Sequence, residues 1–282
     1  MIIWISSYPK SGNTWLRSLI SNYYFSEDGS FNFNLIKQID SFPSSRFFLK
    51  YKDDFNKPED TCKYWIREQE KINSLKKNLF FKTHNALCKI NGHRFTDKKN
   101  TLGVIYIIRD PRNVVTSLAN HYQIDVREAF NFMKDKNRGI FEKNENRFTG
   151  FQPLFSWDLH VKSWAENTLY PTIIIKYEDL LKNPNNTFEK VLIFIKNLTN
   201  SKNKIDYDKL DKCVINCGFD NLQKLEKEKG FDESMINKKT GKKITFFKLG
   251  LKNNFNEILD KNIIDEFNHH FNYELKRYKY II

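Results

Sequence analysis

Lys10 and Gly12 lie in a short polar loop between two apolar stretches of different periodicity. Residues 2–6 form a buried-strand pattern and residues 14–24 carry apolar side chains at helical intervals, so the sequence predicts a strand, a tight loop and a helix. Such a loop directs backbone N–H groups and the positive end of a helix towards one bound anion. Gly12 permits close approach of the backbone, and Lys10 adds a mobile positive charge. Further donors to phosphate oxygens follow at Ser11, Asn13 and Thr14.

The order of residues in this loop differs from that of the P-loop that binds magnesium–ATP. In the motif G-x-x-x-x-G-K-[ST] the lysine follows the second glycine, whereas Lys10 precedes the only glycine of this loop. The position of Lys10 therefore argues against a nucleotide kinase, although such enzymes also bind phosphate at a loop between a strand and a helix.

Three further apolar runs, residues 79–81, 101–108 and 171–177, each end in polar side chains. The runs are continuously apolar and alternate with helical patterns, which predicts an α/β fold with a central parallel sheet flanked by helices on both faces, in three layers like the P-loop NTPases. Ligands of such folds bind at the carboxyl ends of the strands. We therefore expect one rim of the sheet to carry Lys10, His84, Arg109 and Tyr177.

The composition indicates a globular chain that attracts anions. Its 282 residues are 40% hydrophobic and include 25 Phe and 13 Tyr, so we expect a single domain over residues 1–282. A formal net charge of +13 favours a phosphorylated cofactor, an acidic glycan, nucleic acid or a lipid surface as partner. No apolar run approaches the ~18 residues of a membrane-spanning helix.

The cysteines and histidines show no metal-site or disulfide spacing. Cys62, Cys88, Cys213 and Cys217 include no C-x-x-C pair, which favours a reduced, cytoplasmic protein. Cys213 and Cys217 are one helical turn apart and are expected to pack rather than to bind metal. The apolar N-terminal run is too short for a signal peptide, so we read it as the first strand.

Three motifs resemble those of the cytosolic-type sulfotransferases. Residues 8–15, YPKSGNTW, resemble the 5′-phosphosulfate loop of that family, and residues 106–117, YIIRDPRNVVTS, resemble its 3′-phosphate motif. Residues 82–84, Lys-Thr-His, resemble its catalytic segment. The motifs extend from the first strand to about residue 255, where a family motif is degraded to FKLGLKNNF.

The resemblance implies a nucleotide donor, 3′-phosphoadenosine 5′-phosphosulfate, a product, adenosine 3′,5′-bisphosphate, and no metal. It implies that Arg109 and Ser117 hold the 3′-phosphate, that Trp15, Tyr177, Cys217 and Phe219 lie near the adenine, and that Lys248 stands where relatives have an arginine. The implied donor-binding residues are Lys10, Ser11, Gly12, Asn13, Thr14, Trp15, Arg109, Ser117, Tyr177, Cys217, Phe219 and Lys248.

The reaction needs a base for the acceptor proton and cations where charge develops. A neutral imidazole at His84 suits the first need near pH 7. Lys10 is expected to stabilise the departing 5′-phosphate and Lys82 the sulfuryl oxygens. The predicted function is sulfuryl transfer to a hydroxyl or amine of an acceptor such as a glycan or a small phenolic or lipid-linked alcohol.

Several alternatives stay open at this stage. A P-loop nucleotide kinase and a basic nucleic-acid-binding protein remain the competing functions, although no nucleic-acid-binding motif is present. Residues 224–243 are charged and contain two glycines, which predicts a mobile loop that is either a lid or a surface loop without a role. Arg112 is read as a second phosphate contact or a solvated helix-start charge. Peripheral membrane contact and a monomer or homodimer are both compatible with the sequence.

Overall fold

The computed structural model describes residues 1–52, 54–237 and 240–281, and its central element is a five-stranded parallel sheet. The first strand, Ile2–Ser6, is buried along its whole length and lies in the middle of the sheet. Its register pairs Ser6 with Thr83 on one side and with Tyr106 on the other. The strand that ends at Thr83 is therefore level with the first strand, and the strand on the other side continues two residues further, to Ile108. The sheet has the order β2-β3-β1-β6-β9, with β1 (Ile2–Ser6), β2 (Asp40–Ser41), β3 (Leu79–Thr83), β6 (Thr101–Ile108) and β9 (Thr172–Lys176).

Two antiparallel hairpins lie outside this sheet. One hairpin is very short. The other is longer and forms a wall beside the carboxyl end of β3. It contacts this edge where the N–H of His84 donates to the side-chain oxygen of Gln152. The hairpin strands are β4 (Lys89–Ile90), β5 (His93–Arg94), β7 (Gly139–Asn144) and β8 (Arg147–Pro153).

Alternating side chains of the central strands pack into two separate cores. Ile5 and Ile105 belong to one core, whereas Trp4, Val104 and Tyr106 belong to the other. Because successive residues of a strand point to opposite faces, helices cover both faces. The helices are α1 (Asn13–Phe25), α2 (Phe33–Ile36), α3 (Ser45–Phe48), α4 (Trp65–Asn73), α5 (Pro111–Tyr122), α6 (Val126–Lys134), α7 (Trp157–Ala165), α8 (Tyr177–Lys182), α9 (Pro184–Leu198), α10 (Tyr207–Asn216), α11 (Phe219–Lys229), α12 (Phe255–Ile258), α13 (Lys261–His270) and α14 (Asn272–Arg277), with short 3₁₀ helices at Pro58–Tyr64 and Gly250–Lys252.

The predicted three-layer α/β fold is confirmed, and its four predicted strands are β1, β3, β6 and β9. The helices of the structure differ from the predicted segments in two places. The charged stretch predicted as a loop from residue 224 begins as helix α11, which continues to Lys229. Near the C-terminus, the apolar residues Ile263, Phe267, Phe271 and Leu275 recur at intervals of four, which predicts one core helix. The structure has two helices that meet at Phe271, and Phe267, Phe271 and Leu275 are all buried.

Arg112 is buried, so its interpretation as a solvated helix-start charge is wrong, whereas its interpretation as a second phosphate contact stays a prediction. Its guanidinium is buried, pairs with Asp110 and donates to the Asn268 side chain and to the Tyr280 carbonyl at 3.0 Å. The Asp110 side chain also accepts from the N–H of Arg112 and so caps α5. Arg112 therefore joins the start of α5 to the C-terminal segment.

The cysteines are free thiols, and Cys213 and Cys217 are buried in the core as their spacing predicts. Within the described part of the chain, every helix is too short or too polar to cross a membrane, and no three His, Cys, Asp or Glu side chains form a group suited to a metal ion.

Candidate active site

The loop of residues 7–12 between β1 and α1, here called the phosphate loop, has a backbone conformation that favours glycine at position 12. Gly12 has a φ of +100°, and a Cβ added there would overlap the Tyr177 ring. Lys10 also has a positive φ, of 66°. The Asn13 side chain fastens the loop to the first strand by donating to the Ile5 carbonyl at 3.0 Å. The loop backbone is therefore fixed between β1 and the start of α8.

One cavity of about 350 Å³ opens at the carboxyl edge of the sheet and brings most of the predicted site residues together. The two anion-binding motifs meet there, because the Arg109 guanidinium donates to the Lys10 carbonyl at 3.2 Å. The predicted residues that line this cavity are Lys10, Gly12, Asn13, Thr14, Trp15, Lys82, His84, Arg109, Ser117, Tyr177, Phe219 and Lys248.

Two predicted site residues lie outside the cavity lining. Cys217 is fully buried in the core beneath α1, where its sulfur accepts from the Asn22 side chain at 3.6 Å. This side chain is therefore not in contact with the cavity, and the expectation that it borders the adenine is not met. Ser11 is also buried, but it lies in the phosphate loop itself.

Buried donors around the cavity have no acceptor among the residues that the structure describes. They are the Ser11 hydroxyl, the Trp15 indole N–H and the Nε–H of Arg109. A buried donor without a partner is energetically costly. An anionic ligand with many acceptor oxygens fits this arrangement, since phosphate groups accept several hydrogen bonds at once.

Like charges are crowded in the cavity. Burial, and next the positive charge of Lys82, lower the pKa of Lys10 to about 7. The Lys10 ammonium lies 3.8 Å from the centre of the Phe246 ring, which is a cation–π contact. The Arg109 guanidinium lies 4.2 Å from the centre of the Tyr177 ring. These cations make the cavity a strong site for an anion.

His84 is held as a neutral imidazole with one nitrogen fixed. Its Nδ1 lies 2.8 Å from the Ser7 carbonyl oxygen, which can only accept, so Nδ1 carries the proton. Burial, and next the charge of Lys82, lower the pKa of His84 well below its usual value. The lone pair of Nε2 is therefore available to take a proton from a molecule in the cavity.

Helix α7 holds the backbone around His84. The Tyr106 hydroxyl lies 2.9 Å from Nδ1 of His160, and Nε2 of His160 lies 3.0 Å from the His84 carbonyl oxygen. The Trp164 indole N–H donates to the next carbonyl, that of Asn85, at 2.8 Å. Since burial lowers the pKa of His160 to about 3, its ring is neutral, donates to the His84 carbonyl and accepts from Tyr106.

A family model for the sulfotransferase domain matches residues 2–279. The chain belongs to the sulfotransferase domain family. Sulfotransferase 1A1 of Rattus norvegicus is 28% identical over 195 residues, which are 68% of this chain and 58% of that protein. Sulfotransferase 1B1 of Canis lupus familiaris is 26% identical over 231 residues, 78% of this chain and 65% of that protein. The chain thus spans less than two thirds of the length of these relatives.

Solved sulfotransferase-type structures share the fold of this chain. Mouse sulfotransferase SULT7A1, complexed with PAP, superposes with a TM-score of 0.61 at 16% identity, covering 98% of this chain and 84% of that one. Retinol dehydratase in a complex with retinol and PAP gives a TM-score of 0.60 at 15% identity, covering 98% and 81%. The predicted family and its fold are confirmed.

Some cavity residues of this sulfotransferase-family chain lie outside every motif that the sequence analysis identified. Glu233 reaches the cavity from the segment after α11, and His121 reaches it from α5. Burial, and next the charge of Lys10, lower the pKa of His121 to about 4. Ile140 and Gln152 come from the β7–β8 hairpin. His121 lies one helical turn after Ser117 on α5, so helix periodicity could have identified it. Only long-range packing brings Glu233, Ile140 and Gln152 to the site.

Replacing Gly12 by alanine is expected to destabilise this sulfotransferase domain by two separate effects. A left-handed φ costs a residue with a Cβ about 1–2 kcal/mol, and crowding against Tyr177 adds about 1–3 kcal/mol. Urea unfolding of Gly12→Ala measures the sum. Gly92→Ala is the matched control, because Gly92 has a φ of +86° and no described heavy atom lies within 4 Å of its added Cβ. Equal losses in the two variants would contradict the tight contact with Tyr177.

Proposed function

We propose that this chain transfers the sulfuryl group of 3′-phosphoadenosine 5′-phosphosulfate to a hydroxyl or amine of an acceptor. The observation that carries the proposal is a single cavity that joins the phosphate loop, the Arg109 motif and His84. A nucleotide with phosphates at both ends of one adenosine requires two anion sites that open on the same space. Membership of the sulfotransferase family and fold relatives complexed with PAP support the same donor.

The proposed donor lies along the carboxyl edge of the sheet. Its 5′-phosphosulfate faces Lys10 of the phosphate loop and the backbone N–H of Thr14 at the start of α1, since the Thr14 hydroxyl donates to Glu233. Its 3′-phosphate faces Arg109 and Ser117. Lys248 lies beside this second position, since its ammonium donates to the side-chain oxygen of Asn120 on α5 at 2.7 Å. The aromatic side chains of the cavity, Trp15, Tyr177 and Phe219, are the proposed surroundings of the adenine.

In the proposed reaction, the acceptor oxygen forms a bond to sulfur while the bond between sulfur and the bridging phosphate oxygen breaks. The acceptor proton moves to Nε2 of His84, and the electrons of the broken bond remain on the 5′-phosphate. Lys10 stabilises this phosphate, and Lys82 offers N–H groups to the sulfuryl oxygens. The products are the sulfated acceptor and adenosine 3′,5′-bisphosphate.

The acceptor is proposed to enter beside His84. Ser41, which pairs with Lys82 across the sheet, lines this side of the cavity together with Ile140, Glu142 and Gln152. The Glu142 carboxylate accepts from the backbone and hydroxyl of Ser45, so a negative charge is built into the wall. This lining favours a neutral hydroxyl compound over a strongly acidic glycan.

The donor assignment predicts binding of adenosine 3′,5′-bisphosphate without magnesium. In calorimetry, the bisphosphate is expected to bind about 100-fold more tightly than AMP, because only the former offers a 3′-phosphate to Arg109. Arg109→Ala is expected to reduce this preference to about threefold or less. Arg94→Ala, on the exposed β5, is the matched control. Tight binding of magnesium–ATP with no preference for the bisphosphate would instead support a kinase.

The affinity for adenosine 3′,5′-bisphosphate is expected to fall as the pH rises above 7. Lys10 has a pKa of about 7 in the free protein, and a nearby phosphate favours the charged ammonium and raises that pKa. Binding therefore takes up a proton, and the dissociation constant increases by up to about tenfold per pH unit between pH 7 and 9. Calorimetry in buffers of different ionisation enthalpy measures the uptake. Lys10→Arg, which stays charged, should show almost no pH dependence, and a parallel slope in this variant would assign the effect to another group.

His84→Ala is expected to abolish transfer while preserving nucleotide binding. Label from sulfur-35 donor is followed into fractions of a cell extract, which also reveals the acceptor. Loss of the proton acceptor should lower the transfer rate at least about 100-fold, with the bisphosphate affinity changed by less than about threefold. His93→Ala, at an exposed position of β5, is the control. Sustained transfer by the His84 variant would remove this residue as the base.

A further inference from the structure

Glu233 connects three groups at the floor of the cavity. Its carboxylate forms an ion pair with Arg17, accepts from the Thr14 hydroxyl at 3.2 Å and lies 3.4 Å from the Lys82 ammonium. Thr14 and Arg17 are one turn apart on α1, and Lys82 is on β3. One carboxylate thus spans the helix after the phosphate loop and the strand that carries the catalytic segment.

Glu233 belongs to a segment, here called the arm, that comprises residues 230–237 and 240–247. Phe231 and Phe247 bury the ends of the arm against Leu222, and the Glu226 carboxylate accepts from the N–H groups of Phe246 and Phe247 at 2.7 and 2.9 Å. The arm also places the Phe246 ring over the Lys10 ammonium. Glu233 is therefore the point at which the arm reaches the floor of the site.

The buried Arg17 guanidinium opposes displacement of Glu233 by a ligand that enters the cavity. Arg17 is only 3% exposed and is not part of the cavity lining. Of the carboxylates in the described ranges, only that of Glu233 pairs with it. Displacing Glu233 would leave a buried guanidinium without a counterion, which is strongly unfavourable. A donor is therefore better accommodated beside the pair than in its place.

The charge of Glu233 also acts on Lys82. Burial lowers the pKa of Lys82, and the Glu233 carboxylate opposes that shift. Although burial alone would raise the pKa of Glu233, the charges of Lys82 and Arg17 lower it well below its usual value. Glu233 is thus ionised and favours the charged form of Lys82, whose ammonium has three N–H groups and uses one on Glu233.

We infer that Glu233 is a positioning residue for sulfuryl transfer: it aims the Lys82 ammonium at the transferring group and fastens the arm to the floor of the site at Arg17. This inference rests on the proposed function. It concerns the sulfuryl end of the donor, which adenosine 3′,5′-bisphosphate lacks. Loss of Glu233 should therefore affect transfer far more than binding of the bisphosphate.

The test compares Glu233→Gln with Asp232→Asn, which removes a charge at the adjacent, exposed position. Glu233→Gln is expected to lower sulfur-35 transfer at least about 30-fold, with the dissociation constant of adenosine 3′,5′-bisphosphate changed by about threefold or less. Hydrogen exchange of the arm amides should become faster in this variant. Asp232→Asn should behave like the wild-type chain in all three measurements.

A double variant separates positioning from a purely structural role. Arg17→Gln combined with Glu233→Gln removes the unpaired guanidinium and should recover thermal stability, but transfer should stay low because Lys82 still lacks its partner. Recovery of transfer in the double variant would overturn the inference, as would a Glu233→Gln variant with transfer within about threefold of wild type. Tighter donor binding by Glu233→Gln would show that the carboxylate competes with the donor, which also overturns it. If the wild-type chain neither binds the bisphosphate nor transfers label, the proposed function itself fails.

Discussion

Mutual repulsion of positive side chains is the constraint on which the site depends. Lys10, Lys82 and Arg109 converge on one cavity, and the fold must hold them together against their charge. Burial, and next this repulsion, lower the pKa of Lys10 to about 7. The rigid parts of the structure supply the necessary free energy: a fully buried central strand, two separate cores and a glycine turn pressed against Tyr177. Such preorganisation allows an anionic ligand to bind without first gathering its partners.

Local patterns in the sequence were sufficient to predict most of the sheet and the residues at its carboxyl edge. Four of the five strands, β1, β3, β6 and β9, contain continuous apolar runs, and a parallel sheet necessarily places the ends of such runs on one edge. The fifth strand, β2 (Asp40–Ser41), is short and polar and has no such pattern. The fold class and the family were therefore predictable, and both are confirmed. The cavity brings together His84, Arg109 and Tyr177 as expected, while their individual roles stay predictions.

Long-range packing accounts for what sequence patterns missed. His160 on α7 donates to the backbone carbonyl of His84, and Glu233 reaches Lys82 from a segment more than a hundred residues later in the chain. Arg112 looked like a surface charge because its partners, Asn268 and Tyr280, are equally distant. Cys217 fits a motif by position, but it directly follows the last residue of α10 and its side chain is buried in the core. Periodicity identifies a buried face and does not identify its neighbour.

The bond from Arg112 to the Tyr280 carbonyl has a consequence for the order of assembly. Chains begin to fold from the N-terminus while the ribosome is still producing them. Here β1 needs β6 as a neighbour, and the start of α5 needs residues 268–280 to satisfy its buried guanidinium. The end of the cavity that Arg109 and Ser117 line therefore reaches its final form only after residue 280 has emerged, so that a nascent chain acquires its sheet well before it acquires a finished cavity.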